Sequence, residues 1–267
     1  RSMLRLAWLG ALALVAYSGL VEPRLLTVRE HRLPLPPSVQ AQPLRLALVA
    51  DVHAGLFMRG WQIERLVDRL NALDVDAVVV AGDWTYEPPR DLHVLLAPFA
   101  RLRHPVWGVL GNHDTGAPGP PLAAALRQAL QGHGVQLLEG RRLLFRGWEV
   151  LGLGDLWGGD PRGDVARLLP PGTPTVPRLV LAHQPDTAAL LPAGSARLVL
   201  SGHTHGGQIM LPWITRHWVL PGMSAQGWFE GLNTTPAGPL FVTAGVGTIG
   251  LPARLAVVPR IDVLRME

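Results

Sequence analysis

The residues able to do chemistry stand in an ordered series along the chain. Asp51-Val52-His53 comes first, followed by Gly82-Asp83, Gly111-Asn112-His113-Asp114, His183, and finally Gly202-His203-Thr204-His205. Five of the ten histidines fall within it, a concentration that argues against scattered structural histidines. Imidazole nitrogens and carboxylates suit divalent transition metals, and one Asp can bridge two of them. The chain has no Cys, which excludes thiolate ligands, disulfides and cysteine nucleophiles. Taken singly the pieces are weak, because a lone Asp-x-His is usually incidental and a lone buried His is usually only hydrogen-bonded. The ordered set carries the signal.

The elements that must position these residues are legible around them. Each group follows a short apolar run suited to a strand buried on both faces: Leu44 to Ala50, Asp76 to Ala81, Pro105 to Leu110, Arg178 to Ala182, and Arg197 to Leu200. The carboxyl ends of parallel strands share one edge of a sheet, so five such ends can gather the side chains. Asp-x-His and His-x-His on extended backbone place both side chains on one face, since the strand period is two. Between the runs, Ile63, Leu66, Val67, Leu70 and Leu73 recur at helical spacing, as do Leu92, Leu95, Leu96 and Phe99. Pro121 to Leu130 reads as a third helix. Strand-then-helix units in series predict a mainly parallel sheet with crossover helices. The second half has shorter strands at Gln136 to Leu138, Arg142 to Phe145 and Trp148 to Gly152, then strands broken by Gly and Pro after Gly206. That pattern predicts a second, mixed sheet.

Composition bounds the partners. The chain has 267 residues, 48% hydrophobic and 16% charged, enough for a substantial core. All 24 basic residues are Arg and the formal net charge is only +4, with no basic run interleaved with aromatics, so nucleic acid is not expected as a partner. Leu6 to Val21 is an uncharged run of 16 residues, slightly short of the roughly 20 that span a bilayer comfortably. It predicts a membrane anchor; a signal peptide cleaved near Ala16-Tyr17-Ser18 and a core helix are the alternatives. Arginines flank both sides, so the membrane face is not decided. The expected organisation is therefore a membrane segment with its flank over 1–32, a Pro-rich linker over 33–43, and a catalytic domain over 44–267.

The ordered set resembles the calcineurin-like metallophosphoesterase superfamily, whose pattern is D-x-H, G-D, G-N-H-[DE], His, and G-H-x-H. Ser201 to Gln208, Thr243 to Arg254 and the apolar N-terminal segment are similar to its membrane-anchored, YkuE/YaeI-like phosphodiesterase branch. The resemblance implies an α/β fold, two mixed β-sheets packed as a sandwich and flanked by helices. It implies that Asp51, His53 and His205 hold one divalent metal, that Asn112, His183 and His203 hold another, and that Asp83 bridges them. It places His113 outside the metals as phosphate contact or general acid, oriented by Asp114.

Two such cations can activate a water to hydroxide and clamp an in-line displacement at phosphorus. Oxygen and nitrogen ligands favour Mn, Fe or Zn, with Mn the first choice. The expected activity is hydrolysis of a phosphate ester. Leu56-Phe57-Met58, Trp61, Trp84, Trp213, Trp218 and Trp228 suggest a membrane-associated or lipid-linked substrate, or else they pack the second sheet. Pyrophosphate hydrolysis of a nucleotide-linked lipid such as UDP-diacylglucosamine is the alternative activity, and a non-catalytic metal-binding module is the alternative class. Arg254 is open between a phosphate contact and a structural role, and His217 is a weaker candidate for the pocket.

Overall fold

The computed structural model describes residues 2–35, 41–169 and 176–267. Its centre is two six-stranded sheets. In spatial order the first consists of Thr27–Leu33, Arg260–Met266, Leu44–Val49, Ala77–Ala81, Val106–Val109 and Val135–Leu137. Only the pairing of Leu44–Val49 with Arg260–Met266 is antiparallel in that sheet. The second sheet runs Gly231–Thr235, Gly238–Val242, Leu198–Ser201, Arg178–Leu181, Trp148–Gly152 and Arg141–Phe145. It is parallel in the middle and antiparallel at both edges. This is the mixed two-sheet α/β sandwich that the sequence pattern predicts.

The apolar runs lack alternation because both faces of each strand are covered. Leu46, Leu48, Val79 and Val109 face the other sheet, where they pack with Trp148, Leu179, Leu181, Leu200 and Phe241. The intervening Ala47, Val49, Val78 and Val80 face outward, under the helices Gly60–Asn71, Leu92–Leu96 and Ala123–Gly132. The second sheet buries Leu151, Val180 and Val199 against Leu168, Leu169 and Ala188 of its own outer layer. Local signals start the helices. The Gln62 side chain accepts from the Arg59 N–H at 3.0 Å, and Asp91 accepts from the Val94 N–H at 3.0 Å.

The sandwich begins earlier than residue 44. Thr27–Leu33 is an edge strand paired along its whole length with Arg260–Met266, which corrects its expected place in the membrane flank. The physical reason is the open backbone edge of the C-terminal strand, which this segment satisfies. Its partner lies more than 200 residues away, beyond the reach of local pattern. Pro34 and Leu35 are also held, through Arg197 and the Glu267 carbonyl. Residues 36–40 of the expected linker lie outside the described residues.

The N-terminal segment is helical from Ser2 to Arg24, with mean hydropathy 1.7. None of Ser2–Ala16 is buried. Its far end is fastened to the sandwich. Glu22 is buried and accepts from the Val257 N–H at 2.8 Å, and the Ser18 carbonyl accepts from the Arg254 N–H at 2.9 Å.

A buried charge cluster holds the added edge strand. Asp262 accepts from His31 at 2.8 Å, from Thr243 Oγ1 at 2.6 Å and from Arg260 Nε at 3.1 Å. Burial alone raises the pKa of this carboxyl, but the His31 hydrogen bond, the Arg260 charge and Thr243 outweigh it and hold the pKa below the ordinary value. The unfolded carboxyl therefore protonates first as pH falls. The stabilisation is complete above the unfolded value, near 4, and is lost as pH drops through the folded one. Asp262→Asn should cost about 3 kcal/mol at neutral pH and flatten the acid limb of stability. Urea titrations between pH 7 and pH 3 measure both.

Candidate metal centre

All five strands that precede the chemical series end on the same edge of the sandwich. Leu44–Val49, Ala77–Ala81 and Val106–Val109 of the first sheet deliver Asp51 and His53, Asp83, and Asn112. Arg178–Leu181 and Leu198–Ser201 of the second deliver His183, and His203 with His205. Two clusters result: Asp51, His53 and His205 in one, Asp83, His183 and His203 in the other. Asp83 Oδ2 lies 3.6 Å from His53 Nε2 and 3.2 Å from His183 Nε2, so this one oxygen faces both clusters. Asn112 Oδ1 sits 3.1 Å from His183 Nε2 and 3.0 Å from His203 Nδ1. The seven expected ligands are thus brought together, and all are buried.

The backbone achieves this differently from the sequence expectation. Asp51, His53, Asp83, His203 and His205 have φ of 53°, 50°, 53°, 72° and 52°. These are left-handed conformations, uncommon for residues with a Cβ. The paired side chains are aimed by tight turns beyond the strand ends, not by the two-residue period of extended chain. Each such residue costs on the order of 1 kcal/mol, and surrounding structure has to hold it. Loop-to-loop hydrogen bonds do so: Asp51 N to Gly82 O at 3.0 Å, His53 N to Asp83 O at 3.0 Å, and Gly202 N to His183 O at 3.0 Å. A short parallel pairing of Ala54–Gly55 with Thr85–Tyr86 adds to them. Gly82 is required by contact as well as by its φ of +88°, since a Cβ there would lie 2.5 Å from His183 Nδ1.

The donor set fits divalent cations. His183 Nδ1 donates to the Ala81 carbonyl at 2.8 Å, which leaves Nε2 a bare lone pair pointing inward. His53 Nδ1 is similarly set against Thr85 O at 3.4 Å. Asn112 gives its amide N–H to Ala117 O at 3.1 Å and so turns its oxygen to the centre. His53 Nε2 and His205 Nε2 then face each other at 3.0 Å, while His205 Nδ1 is buried with no partner among the described residues, a crowding of ring nitrogens that a cation would satisfy.

Titration behaviour without a cation says the same. Burial pushes Asp51 up to about 7, His53 down to about 4 and His203 down to about 3. Burial also opposes charge on His183, yet the Asp83 carboxylate outweighs it and carries the imidazole up to about 10, so positive charge is favoured beside Asp83.

The remaining expected site residues separate into two kinds. His113 is half-buried at the mouth, its ring edge-on to His53 at 5.3 Å and to Tyr86 at 5.4 Å, while its N–H donates to Asp83 Oδ1 at 3.0 Å. Asp114 does not orient that ring, which corrects its expected role. Its carboxylate accepts from the N–H groups of Trp84, Thr85 and Gly111 and from Thr85 Oγ1, all at 2.9–3.1 Å. It braces two ligand loops against each other. Arg254 is resolved as structural. It is fully buried and its guanidinium donates to the carbonyls of Ala244, Gly247 and Val257. His217 is exposed and bonded to Trp213 O, away from the ligands.

Sequence reasoning missed Asp155 and Trp157. Asp155 is buried and joins Thr115, Gln184 and the Trp157 and Gly158 amides. Trp157 stands edge-on to His203 at 4.9 Å. The signal was present, because Asp155 follows the buried strand Trp148–Gly152 as the ligands follow theirs.

Comparison with known proteins identifies the family. The calcineurin-like phosphoesterase family profile matches residues 44–207. The chain belongs to that family, and it is a hydrolase of phosphoester bonds. It is 27% identical to phosphodiesterase YaeI of Escherichia coli over 259 residues, covering 94% of this chain and 92% of that one. It is 26% identical to the metallophosphoesterase YkuE of Bacillus subtilis, covering 94% and 89%. A zebrafish (Danio rerio) transmembrane protein with a metallophosphoesterase domain is 30% identical over 91% of this chain, which spans 58% of that relative.

Two measurements test the site. Stripping divalent cations with a chelator should lower the thermal midpoint, and adding Mn should restore it; an unchanged midpoint would count against a cation site. Arg254→Ala leaves buried carbonyls unpaired and should cost about 3–5 kcal/mol in denaturant titrations.

Proposed function

We propose that the protein is a two-metal phosphodiesterase or phosphatase acting on a membrane-associated or lipid-linked phosphate ester. The observation that carries the two-metal reading is Asp83 Oδ2, within 3.6 Å of a ligand nitrogen in each cluster. Asp51, His53 and His205 would hold one cation, Asn112, His183 and His203 the other, and Asp83 both. Mn is the first choice for an all nitrogen and oxygen set. When bound, such a pair supplies an activated water and neutralises charge on the phosphoryl oxygens.

The chain's own groups do the rest. His113 stands at the mouth with no ring nitrogen committed to a hydrogen bond among the described residues, free to give a proton to the leaving oxygen. Burial and the His183 charge hold its pKa below the ordinary histidine value against the opposing Asp83 and Asp155 charges, so the acid role draws on the form that dominates below neutral pH. The Asp83 contact to the His113 main-chain N–H ties the backbone of His113 to a candidate metal ligand. Tyr86 and Trp157 flank the opening and limit which substrate groups reach it.

Membrane association is supported by the unburied apolar helix Ser2–Arg24 and by the name of the zebrafish relative. Anchoring holds the site near lipid, which favours a substrate presented at a bilayer.

His113→Ala should retain bound metal and lower kcat on an aryl phosphodiester by about 100-fold or more. Asp83→Asn should instead reduce metal content itself. Metal analysis alongside steady-state kinetics separates these outcomes, and a His113→Ala enzyme with full turnover would remove the acid role.

A further inference from the structure

The segment after the His203–His205 motif is built inside out. Pro212–Ile214, Thr215–Val219 and Leu220–Gly222 form a short irregular helical excursion. Its polar Thr215 points inward, 2% exposed, with Oγ1 donating to Ile209 O at 2.6 Å and accepting from Leu211 N at 2.9 Å. Leu220 is buried, but the other large apolar side chains point outward: Trp213 is 65% exposed, Ile214 50% and Trp218 73%. A helix on the surface of a soluble domain does the reverse. Of the other tryptophans suspected of lipid contact, Trp61 is also exposed, at 51%, but two differ. Trp84 is fully buried and donates to Val109 O, and Trp228 packs on the second sheet's outer core.

The excursion is joined to the apolar N-terminal helix. Gln208 bonds the carbonyls of Ile249 and Leu251, Met210 N donates to Leu255 O at 2.8 Å, and Arg254 N donates to Ser18 O in the last turns of that helix. Leu20 in the helix and Leu251 in the joining loop are exposed as well, at 64% and 60%. The same loop reaches the metal centre, where Gly247 N donates to Asp51 O at 2.8 Å. The exposed apolar excursion and the exposed apolar helix are therefore tied to one loop, residues 249–255, through main-chain hydrogen bonds.

We propose that the Leu211–Val219 excursion is a second membrane contact. It seats in the bilayer that takes up the N-terminal helix and sets the mouth of the metal centre against the headgroups. The proposal rests on the membrane-anchored reading above. The loop that holds the excursion also holds the apolar helix Ser2–Arg24, whose stretch Ser2–Ala16 is wholly unburied, and this points to lipid as the common occupant. Trp rings are favoured at the interface between hydrocarbon and water. Arg216, within the excursion, and Arg24, at the helix end, suit anionic headgroups.

The absence of native Cys allows a direct test. Trp8→Cys, Trp213→Cys, Trp218→Cys and Leu144→Cys each accept one environment-sensitive fluorophore on the full chain. Leu144 is exposed and pairs with Glu149 at the opposite edge of the sandwich, so it serves as control. In vesicles of phosphatidylcholine and phosphatidylglycerol, labels at 8, 213 and 218 should be quenched by brominated acyl chains and shielded from aqueous iodide. The label at 144 should behave oppositely. Quenching at 8 with iodide access at 213 and 218 overturns the second contact and leaves anchoring intact. Iodide access at 8 as well removes the anchored reading and the proposal with it. Shielding at 213 and 218 without quenching by brominated lipid places a second protein copy there and also overturns it. The double variant Trp213→Ser/Trp218→Ser should keep its rate on a soluble aryl phosphodiester and lose about tenfold on a phosphodiester lipid in vesicles; equal losses on both would overturn the proposal.

Discussion

Ligand atoms are crowded without solvent at the centre of this protein, and the loops around them are bonded to one another so that the crowding is held in place. Imidazole lone pairs, an amide oxygen and two carboxylates converge in a buried space, with His53 Nε2 and His205 Nε2 3.0 Å apart. Left to itself such a set relaxes by taking up protons or turning away. Here the outer ring nitrogens of His183 and His53 are set against main-chain carbonyls, and Asn112 is turned by Ala117. The arrangement is preorganised for divalent cations, which convert mutual repulsion into coordination.

Holding it requires an unusual backbone. Five ligand residues adopt left-handed φ, each unfavourable alone. Hydrogen bonds between loops of different strands stabilise them, and so does Asp114, whose carboxylate ties the Trp84–Thr85 loop to Gly111. Arg254 does comparable work on the other side. It gathers the carbonyls of Ala244, Gly247 and Val257 while its own N–H meets the N-terminal helix at Ser18. The geometry of the metal centre and the attachment of the apolar helix thus share one buried cation.

The sandwich explains why a chain with few charged residues suffices. Strands covered on both faces need no alternation, and their uninterrupted Val and Leu runs end abruptly at the first polar residue. That change of composition at a strand end marks the ligands in the sequence. Asp155 follows the same rule after Trp148–Gly152 and was equally legible, though it went unread because a lone Gly-Asp carries little information.

The sequence by itself determined the ligand types, their order and their attachment to the ends of buried strands, because these depend on composition and local periodicity. It also determined the helices that cover the first sheet, through their apolar spacing. Only the tertiary structure decided how the ligands are aimed, since left-handed turns depend on hydrogen bonds from distant loops. It likewise moved Asp114 from orienting His113 to bracing two loops, and made Arg254 a buried strut. It placed Thr27–Leu33 in the sheet beside Arg260–Met266, a pairing across nearly the whole chain. Exposure of Trp213 and Trp218, and burial of Trp84, were also settled there. Each depends on which surfaces meet, and no local pattern encodes that.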